Sequence, residues 1–154
     1  MTLHKLLAAV AASGVFVTTA WSADYQVTRS LQLTQPTADV WRLVGGFCDV
    51  DDWHPNIIAC DVKAVEGTLH RVLTTNSGET FVEQRIARET GLSYTYKSFQ
   101  SPLLVDNFIA TLSVEPNDGS QVTWSVGFSS DDPAMEGKVI ELIETGLAGI
   151  EDRF

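Results

Sequence analysis

The sequence is short of basic residues and has none of the usual motifs for holding phosphates or metals. It carries 10 Lys and Arg residues against 20 Asp and Glu residues, a formal net charge of −10. A protein this acidic repels phosphate backbones and anionic lipid surfaces, so we expect no nucleic-acid partner. The chain has no zinc-type Cys/His spacing, no Gly-rich phosphate loop, no nucleophile-elbow serine and no redox-cofactor signature. We therefore expect no cofactor and no metal.

Long apolar runs are also missing, with one exception at the N-terminus. Residues 6–20 carry no charge, Lys5 precedes them, and residues 20–23 offer the small side chains that a signal peptidase requires. The run is too short for a membrane-spanning helix, so we expect no stable membrane anchor. We predict a signal peptide over residues 1–23, cleaved near residues 20–23, and a secreted or periplasmic protein. Loss of Lys5 would move the net charge from −10 to −11.

Cysteine is scarce, since the chain has only Cys48 and Cys60. In an oxidising compartment the two thiols can form a disulfide that closes a short loop. They can equally remain separate and act as small buried hydrophobes. The sequence leaves both possibilities open, because the distance between the two Cα atoms decides between them.

The most informative stretch runs from Gly67 to Tyr96 and predicts three strands joined by two turns. Residues 76–78, Asn-Ser-Gly, form a three-residue hairpin loop with glycine at the position that favours a positive φ. We predict that this turn places Arg71 opposite Glu83 on the neighbouring strand. Side chains alternate along a strand, so the two charges share one face of the sheet.

The second turn, residues 88–91, extends that face to a third strand. We predict that it sets Glu83 opposite Tyr96 and Arg85 opposite Tyr94. The face then collects an apolar and aromatic set that contains one charge pair: Leu69, Arg71, Leu73, Phe81, Glu83, Tyr94 and Tyr96.

The remaining chain predicts a first strand at residues 25–33, two short helices at residues 36–44 and 49–53, and further alternating strands. Asp132 is a suitable N-cap, and from Ala134 onward the apolar period becomes 3.6 and predicts a long amphipathic helix. Gly146 lies on its apolar side, where glycine serves either a close helix–sheet approach or space for a guest molecule. We predict an α+β fold in which a curved antiparallel sheet of about seven strands surrounds this helix.

The order and spacing of several sequence pieces resemble a known superfamily. These pieces are VWRLVGGF (residues 40–47), DWHP (52–55), EGTLHRVL (66–73), VEQR (82–85), LSYTY (92–96) and VTWSVGF (122–128). Together they resemble the START and birch-pollen-allergen superfamily, also called SRPBCC, whose bacterial members are often labelled polyketide cyclase/dehydrase. The resemblance covers nearly the whole mature chain, and the predicted domain spans residues 24–154. It implies one domain with a helix-grip fold around a cavity for lipids, sterols, hormones or polyketides.

A closer parallel with the plant abscisic-acid receptors assigns individual cavity positions. The resemblance implies cavity-side roles for the following residues: Arg71, Phe81, Glu83, Tyr94, Tyr96, Phe108, Val139 and Ile143. Ile58 replaces the lysine that grips the hormone's carboxylate, the short turn at residues 76–78 replaces the gate loop, and residues 102–103 replace the latch. Hormone sensing is therefore not expected. The periplasmic accessory proteins of bacterial methanol oxidation match the signal peptide and Trp-His-Pro (residues 53–55) better.

Two sets of side chains are candidates for chemistry. Arg71 and Glu83 either anchor the polar end of a ligand or fix the strand register. His54, in the Trp53-His54-Pro55 segment, is expected near the cavity rim, as a general base or as a solvated surface group. Residues 49–52, Asp-Val-Asp-Asp, concentrate carboxylates but lack the glycine and the distal glutamate of a calcium loop, so we expect no metal there.

The leading hypothesis is an exported carrier of a small hydrophobic molecule, lipid-, sterol- or polyketide-like. The residues expected to contact it are Arg71, Leu73, Phe81, Glu83, Tyr94, Tyr96, Phe108, Val139 and Ile143. One alternative is a cyclase or dehydratase that uses Glu83 or a tyrosine hydroxyl as its proton carrier. Another is an accessory protein that binds a periplasmic enzyme.

Overall fold

The structure is a computed structural model, and it describes residues 22–154. Apart from Ser22 and Ala23, the predicted signal peptide lies outside the described residues. The described part forms, in order, β1 (Ala23–Leu33), α1 (Thr37–Val44), α2 (Val50–Trp53), β2 (Ile57–Val65), β3 (Thr68–Thr75), β4 (Thr80–Glu89), β5 (Ser93–Gln100), β6 (Asp106–Pro116), β7 (Ser120–Ser130) and α3 (Met135–Glu151).

All seven strands join one antiparallel sheet in the order β1-β7-β6-β5-β4-β3-β2. The two short helices follow β1, and α3 packs on the inner face of the sheet. In the described part of the chain, α3 alone covers most of the apolar face of the sheet, and the sheet curves around this helix. The predicted helix-grip architecture is confirmed.

The core lies where two periodicities meet. Along β7 every second residue from Val122 to Phe128 is buried, while the residues between them are only partly covered. α3 contributes the buried side chains of one helix face: Met135, Val139, Ile143, Leu147 and Ile150. The strand period of two and the helix period of 3.6 therefore bring two apolar surfaces together.

The β3–β4 register agrees with the prediction. The backbone N–H of Thr75 donates to the carbonyl of Glu79 at 2.9 Å, and Gly78 has a φ of 85°. This turn places Arg71 directly opposite Glu83. Because both side chains point inward, the charge pair lies on the covered face of the sheet.

The predicted β4–β5 register is wrong by two residues at Glu83 and Arg85. Glu83 lies opposite Ser98 rather than Tyr96, and Arg85 lies opposite Tyr96 rather than Tyr94. Two irregularities, after Val82 and between Arg85 and Ala87, shift the ladder. A bulge adds one residue to one strand and leaves no clear mark in the sequence. Since the shift at Glu83 and Arg85 is an even number of residues, the tyrosines keep the predicted face.

Gly146 and Gly149 of α3 allow close contact and do not leave space for a guest. A Cβ added at Gly146 would lie 2.6 Å from Trp124 Cζ3 and 2.8 Å from His54 Cδ2. One added at Gly149 would collide with the backbone carbonyl of Trp53. We call residues 53–55 the docking loop, because α3 rests directly on it.

β2 is an edge strand that pairs only with β3. Residues 61–67 are all exposed, including Val62 and Val65, and Ile58 at the start of the strand is 62% exposed. The inner surface of this end of the sheet is therefore poorly covered.

Candidate ligand-binding site

An interior cavity of about 30 Å³ lies between the sheet and α3. It is lined by eleven residues: Val50, His54, Ile57, Arg71, Leu73, Phe81, Glu83, Tyr96, Phe108, Trp124 and Leu142. Leu142 is the one apolar lining residue that is partly exposed, so it marks the boundary between the cavity and solvent. A volume of this size holds about two water molecules.

A buried ion pair forms the polar end of the cavity. Arg71 is 2% exposed and Glu83 is 4% exposed. The Nε and Nη2 atoms of Arg71 both lie 2.6 Å from Oε2 of Glu83, and Nη1 donates to the carbonyl of Phe47 at 2.5 Å. Each charge gives up hydration worth several kcal/mol, and mutual attraction roughly offsets that loss.

Aromatic rings enclose the guanidinium group of Arg71. Its Cζ atom lies 4.3 Å from the ring centre of Phe47 and 4.8 Å from that of Tyr96. Burial alone would lower the pKa of Arg71, but the carboxylate of Glu83 and the hydroxyls of Tyr94 and Tyr96 raise it above its usual value. Arg71 therefore remains a fixed cation.

Tyr96 and Trp124 form a buried hydrogen bond beside the ion pair. The indole Nε1 of Trp124 donates to the hydroxyl oxygen of Tyr96 at 3.1 Å. Burial, assisted by the nearby carboxylate of Glu83, holds the pKa of Tyr96 well above its ordinary value. Its hydroxyl therefore keeps its proton at neutral pH.

The two cysteines form a disulfide that ties the α1–α2 connection to β2. Cys48 and Cys60 have their Cα atoms 5.5 Å apart. Phe47, whose carbonyl and ring both contact Arg71, directly precedes Cys48. The structure therefore contains the bonded alternative, and the bond restrains the segment that covers Arg71.

His54 is buried, at 3% exposed, rather than solvated. Its Nδ1 accepts the backbone N–H of Asn56 at 3.2 Å, so the proton lies on Nε2, which donates to the carbonyl of Leu142 at 3.2 Å. Burial lowers the pKa of His54, and the positive charge of Arg71 lowers it further. Both nitrogens are occupied, so the imidazole has no free lone pair for general-base catalysis.

The docking loop therefore serves mainly as a packing contact for α3, and only part of it lies at the predicted cavity rim. Trp53 is 2% exposed and packs edge-on against Trp124 with ring centres 5.7 Å apart. Pro55 is exposed on the outer side. Of the three residues, His54 alone lines the cavity.

Six of the nine residues predicted to contact a ligand line the cavity: Arg71, Leu73, Phe81, Glu83, Tyr96 and Phe108. Three others do not. Tyr94 lies behind Arg71, with its ring 5.7 Å from that of Phe47. Val139 and Ile143 are fully buried in the core around α3.

Four apolar lining residues were missed by sequence reasoning: Val50, Ile57, Trp124 and Leu142. Trp124 carries a usable signal, because it alternates with polar residues on a predicted strand. Leu142 lies on the apolar side of the predicted helix, but periodicity does not say which residue of that side meets the cavity. The position of α3 about its own axis depends on the close contacts at Gly146 and Gly149.

Other features of the described residues offer less. A groove of about 490 Å³ near Gly127 is open to solvent on the outer face. Between residues 22 and 154 no group of three or more His, Cys, Asp or Glu side chains could hold a metal ion. In that same part of the chain, every helix is too short or too polar to cross a membrane.

A comparison of the sequence with known protein families agrees with this geometry. The family described as polyketide cyclase / dehydrase and lipid transport matches residues 24–154. The chain belongs to this family. The match includes every strand and helix from α1 to α3, and all but the first residue of β1.

Solved structures agree with this assignment to the polyketide cyclase / dehydrase and lipid transport family. The protein XoxI from Bacillus cereus is 28% identical, with a TM-score of 0.75 over 84% of this chain and 94% of that chain. A protein from Bacillus thuringiensis is also 28% identical, with a TM-score of 0.75 over 86% and 98%. The Zhui aromatase/cyclase from Streptomyces sp. R1128 is 13% identical, with a TM-score of 0.66 over 83% and 92%, which shows a shared fold alone. The chain has no match among curated proteins.

Proposed function

We propose that this protein binds a small, mainly apolar molecule in the interior cavity and carries it outside the cytoplasm. The observation that carries this proposal is the buried pair of Arg71 and Glu83 at one end of an otherwise largely apolar cavity. A ligand site usually combines apolar walls with a few well-placed polar groups. The family description, which includes lipid transport, supports the same reading.

The size of the cavity sets a condition on this function. Drug-sized ligands occupy pockets of roughly 300–1,000 Å³, whereas this cavity measures about 30 Å³. Under this proposal the structure corresponds to a closed form, and the boundary moves to admit a ligand. Leu142 is the expected moving part, because it is partly exposed while its neighbours in the wall are buried.

Fluorescence titration with the neutral apolar dye N-phenyl-1-naphthylamine tests this function. Leu142→Ala widens the boundary and should strengthen dye binding, whereas Leu142→Trp should block it. Val65→Ala, on the exposed edge strand, is the matched control and should bind as the parent does. Equal dye binding by the two Leu142 variants would show that the dye does not enter this cavity and would overturn the proposal.

Export is the second part of the proposal. The disulfide between Cys48 and Cys60 supports it, since such bonds persist in oxidising compartments. Fractionation of the native host, followed by mass spectrometry of the N-terminus, tests it. A mature chain that begins near residue 23 supports export, and an intact N-terminus in the cytoplasm contradicts it.

A second candidate function is docking on a partner protein as an accessory subunit. The specific observation in its favour is the small cavity, because an interior filled by its own side chains needs no ligand. The two functions separate by native mass spectrometry of protein purified from its host. A bound apolar molecule favours the carrier, and a ligand-free protein that pulls down one enzyme at fixed stoichiometry favours the accessory role.

A further inference from the structure

Glu83 uses only one of its two carboxylate oxygens to hold Arg71. Both Nε and Nη2 of Arg71 contact the same atom, Oε2, at 2.6 Å. Among the described residues the other oxygen, Oε1, has no hydrogen-bond partner. It is not sealed inside the protein either, because within residues 22–154 Trp53 Nε1 is the one fully enclosed side-chain polar atom that lacks a partner. Oε1 is therefore an acceptor that the cavity can reach.

Arg71 has little hydrogen-bonding capacity left for a ligand in the cavity. Its Nε and Nη1 atoms already donate, to Glu83 and to the carbonyl of Phe47, and its Nη2 atom lies 2.6 Å from the same oxygen of Glu83. The rings of Phe47 and Tyr96 lie close to its guanidinium group, with their centres 4.3 Å and 4.8 Å from Cζ. An anionic ligand would have to displace Glu83 or approach it closely, and like charges at short range in a poorly solvated site repel strongly.

Tyr96 supplies a second polar group on the cavity wall. Its oxygen accepts the indole N–H of Trp124, and its own proton has no acceptor among the described residues. The wall therefore presents a carboxylate oxygen that accepts and a hydroxyl that can donate. A ligand hydroxyl has both complementary functions, whereas a carboxylate has only acceptors.

We infer that the polar end of the ligand is a neutral hydroxyl, from an alcohol or a phenol, that donates its proton to Oε1 of Glu83. This inference rests on the proposed ligand-binding function and specifies its chemistry. A buried acceptor left without a donor is costly, so a ligand that lacks the hydroxyl loses affinity. The same site discriminates against fatty-acid-like carboxylates.

Three ligands of nearly equal size test the inference at pH 7: phenol, toluene and benzoate. Their dissociation constants are measured by NMR titration of the parent chain and of Leu142→Ala, whose wider boundary admits them more easily. Phenol is expected to bind the most tightly, and benzoate the least. In the double variant Arg71→Met/Glu83→Leu, the preference for phenol over toluene is expected to fall about tenfold or more.

A second variant keeps the side-chain volume in case the double variant does not fold. In Glu83→Gln the amide oxygen stays on Arg71, and the NH2 group then faces the cavity. The preference should move from phenol, a donor, towards acetophenone, which only accepts. Circular dichroism of each variant checks that the fold is kept.

The outcomes separate the inference from the function on which it rests. If none of the ligands binds the parent chain or Leu142→Ala, the proposed cavity function fails. If toluene binds as tightly as phenol, or benzoate binds more tightly, the cavity binds ligands but the hydroxyl preference is wrong. An unchanged phenol preference in a folded Glu83 variant also overturns the inference.

Discussion

His54 and Glu83 are both buried polar residues on the wall of one cavity, and they differ in how completely the protein satisfies them. Each nitrogen of His54 has a backbone partner, one in Asn56 and one in Leu142. Glu83 places two contacts on one oxygen and leaves the other towards the cavity. Buried polar atoms are normally hydrogen-bonded. Glu83, which has one oxygen without a partner among the described residues, is therefore the better candidate for a ligand contact.

The packing around the two residues differs in the same way. At the docking loop, α3 approaches so closely that a methyl group at Gly146 or Gly149 has no room. At the ion pair the walls leave a cavity. Close packing indicates a structural contact, and retained space beside a charge indicates a binding site.

The largest expected effect comes from removing one member of the ion pair. Glu83→Leu leaves the charge of Arg71 buried and unpaired, and should lower the free energy of unfolding by about 3–5 kcal/mol. The double variant Arg71→Met/Glu83→Leu should recover most of that loss, since neither charge remains. Urea unfolding measures both. If the single and double variants lost equal stability, the loss would not come from an unpaired buried charge, and the prediction would be wrong.

The disulfide should have the next largest effect, and it belongs to the ion-pair region. Replacement of both Cys48 and Cys60 by alanine should cost about 3 kcal/mol, because the unfolded chain gains freedom. It should also loosen Phe47 over Arg71, and it should affect the docking loop less, because α3 packs directly on that loop. Amide hydrogen exchange at Phe47 and at the docking loop measures both effects. Faster exchange at the docking loop, with Phe47 and its neighbours unaffected, would contradict this assignment.

Close packing at the docking loop can be tested with glycine pairs in α3. Gly149→Ala should destabilise the protein by about 1–3 kcal/mol, because the new methyl meets the rigid backbone at Trp53. Gly137→Ala has nothing within 4 Å and should stabilise the same helix by up to about 1 kcal/mol. Thermal unfolding compares them. Stabilisation by both changes would mean that α3 does not rest on the docking loop.

The smallest expected effect is the pH dependence from His54. Its pKa is lowered in the folded protein, so the unfolded chain binds a proton first, near pH 6.5. The free energy of unfolding should therefore fall as the pH drops below about 6.5, by at most about 1.4 kcal/mol per pH unit. His54→Gln should remove this slope between pH 6.5 and 5, and His70→Gln, on the outer face, should keep it. If His54→Gln kept the pH dependence of the free energy of unfolding, another titrating group would be responsible for it.

Local rules predicted much of the fold and the central part of the site. The turn at residues 76–78 determines which residues face each other, so the pairing of Arg71 with Glu83 followed from counting. The amphipathic period of α3 and the alternation of the strands placed the core in the same way. These features depend on neighbours that are close in sequence.

Features that depend on distant contacts were not predictable. The bulges in β4–β5 come from how the sheet curves, and the sequence of residues 82–87 does not predict them. Burial of His54 requires α3 to lie over it, which depends on glycines more than 90 positions away along the chain. Likewise, Leu142 rather than Val139 reaches the cavity because contacts from two other elements determine the rotation of α3.

The uncovered side of β2 has a consequence for how the protein behaves in concentrated solution. Its outer backbone groups have no strand beside them, and Ile58, Val62 and Val65 add exposed apolar surface. Such an edge is a template on which another chain can add a strand. Net charge of −10 keeps copies apart at low ionic strength, and salt weakens that repulsion. Light scattering should therefore detect self-association that grows with added salt, and Val62→Lys should suppress it.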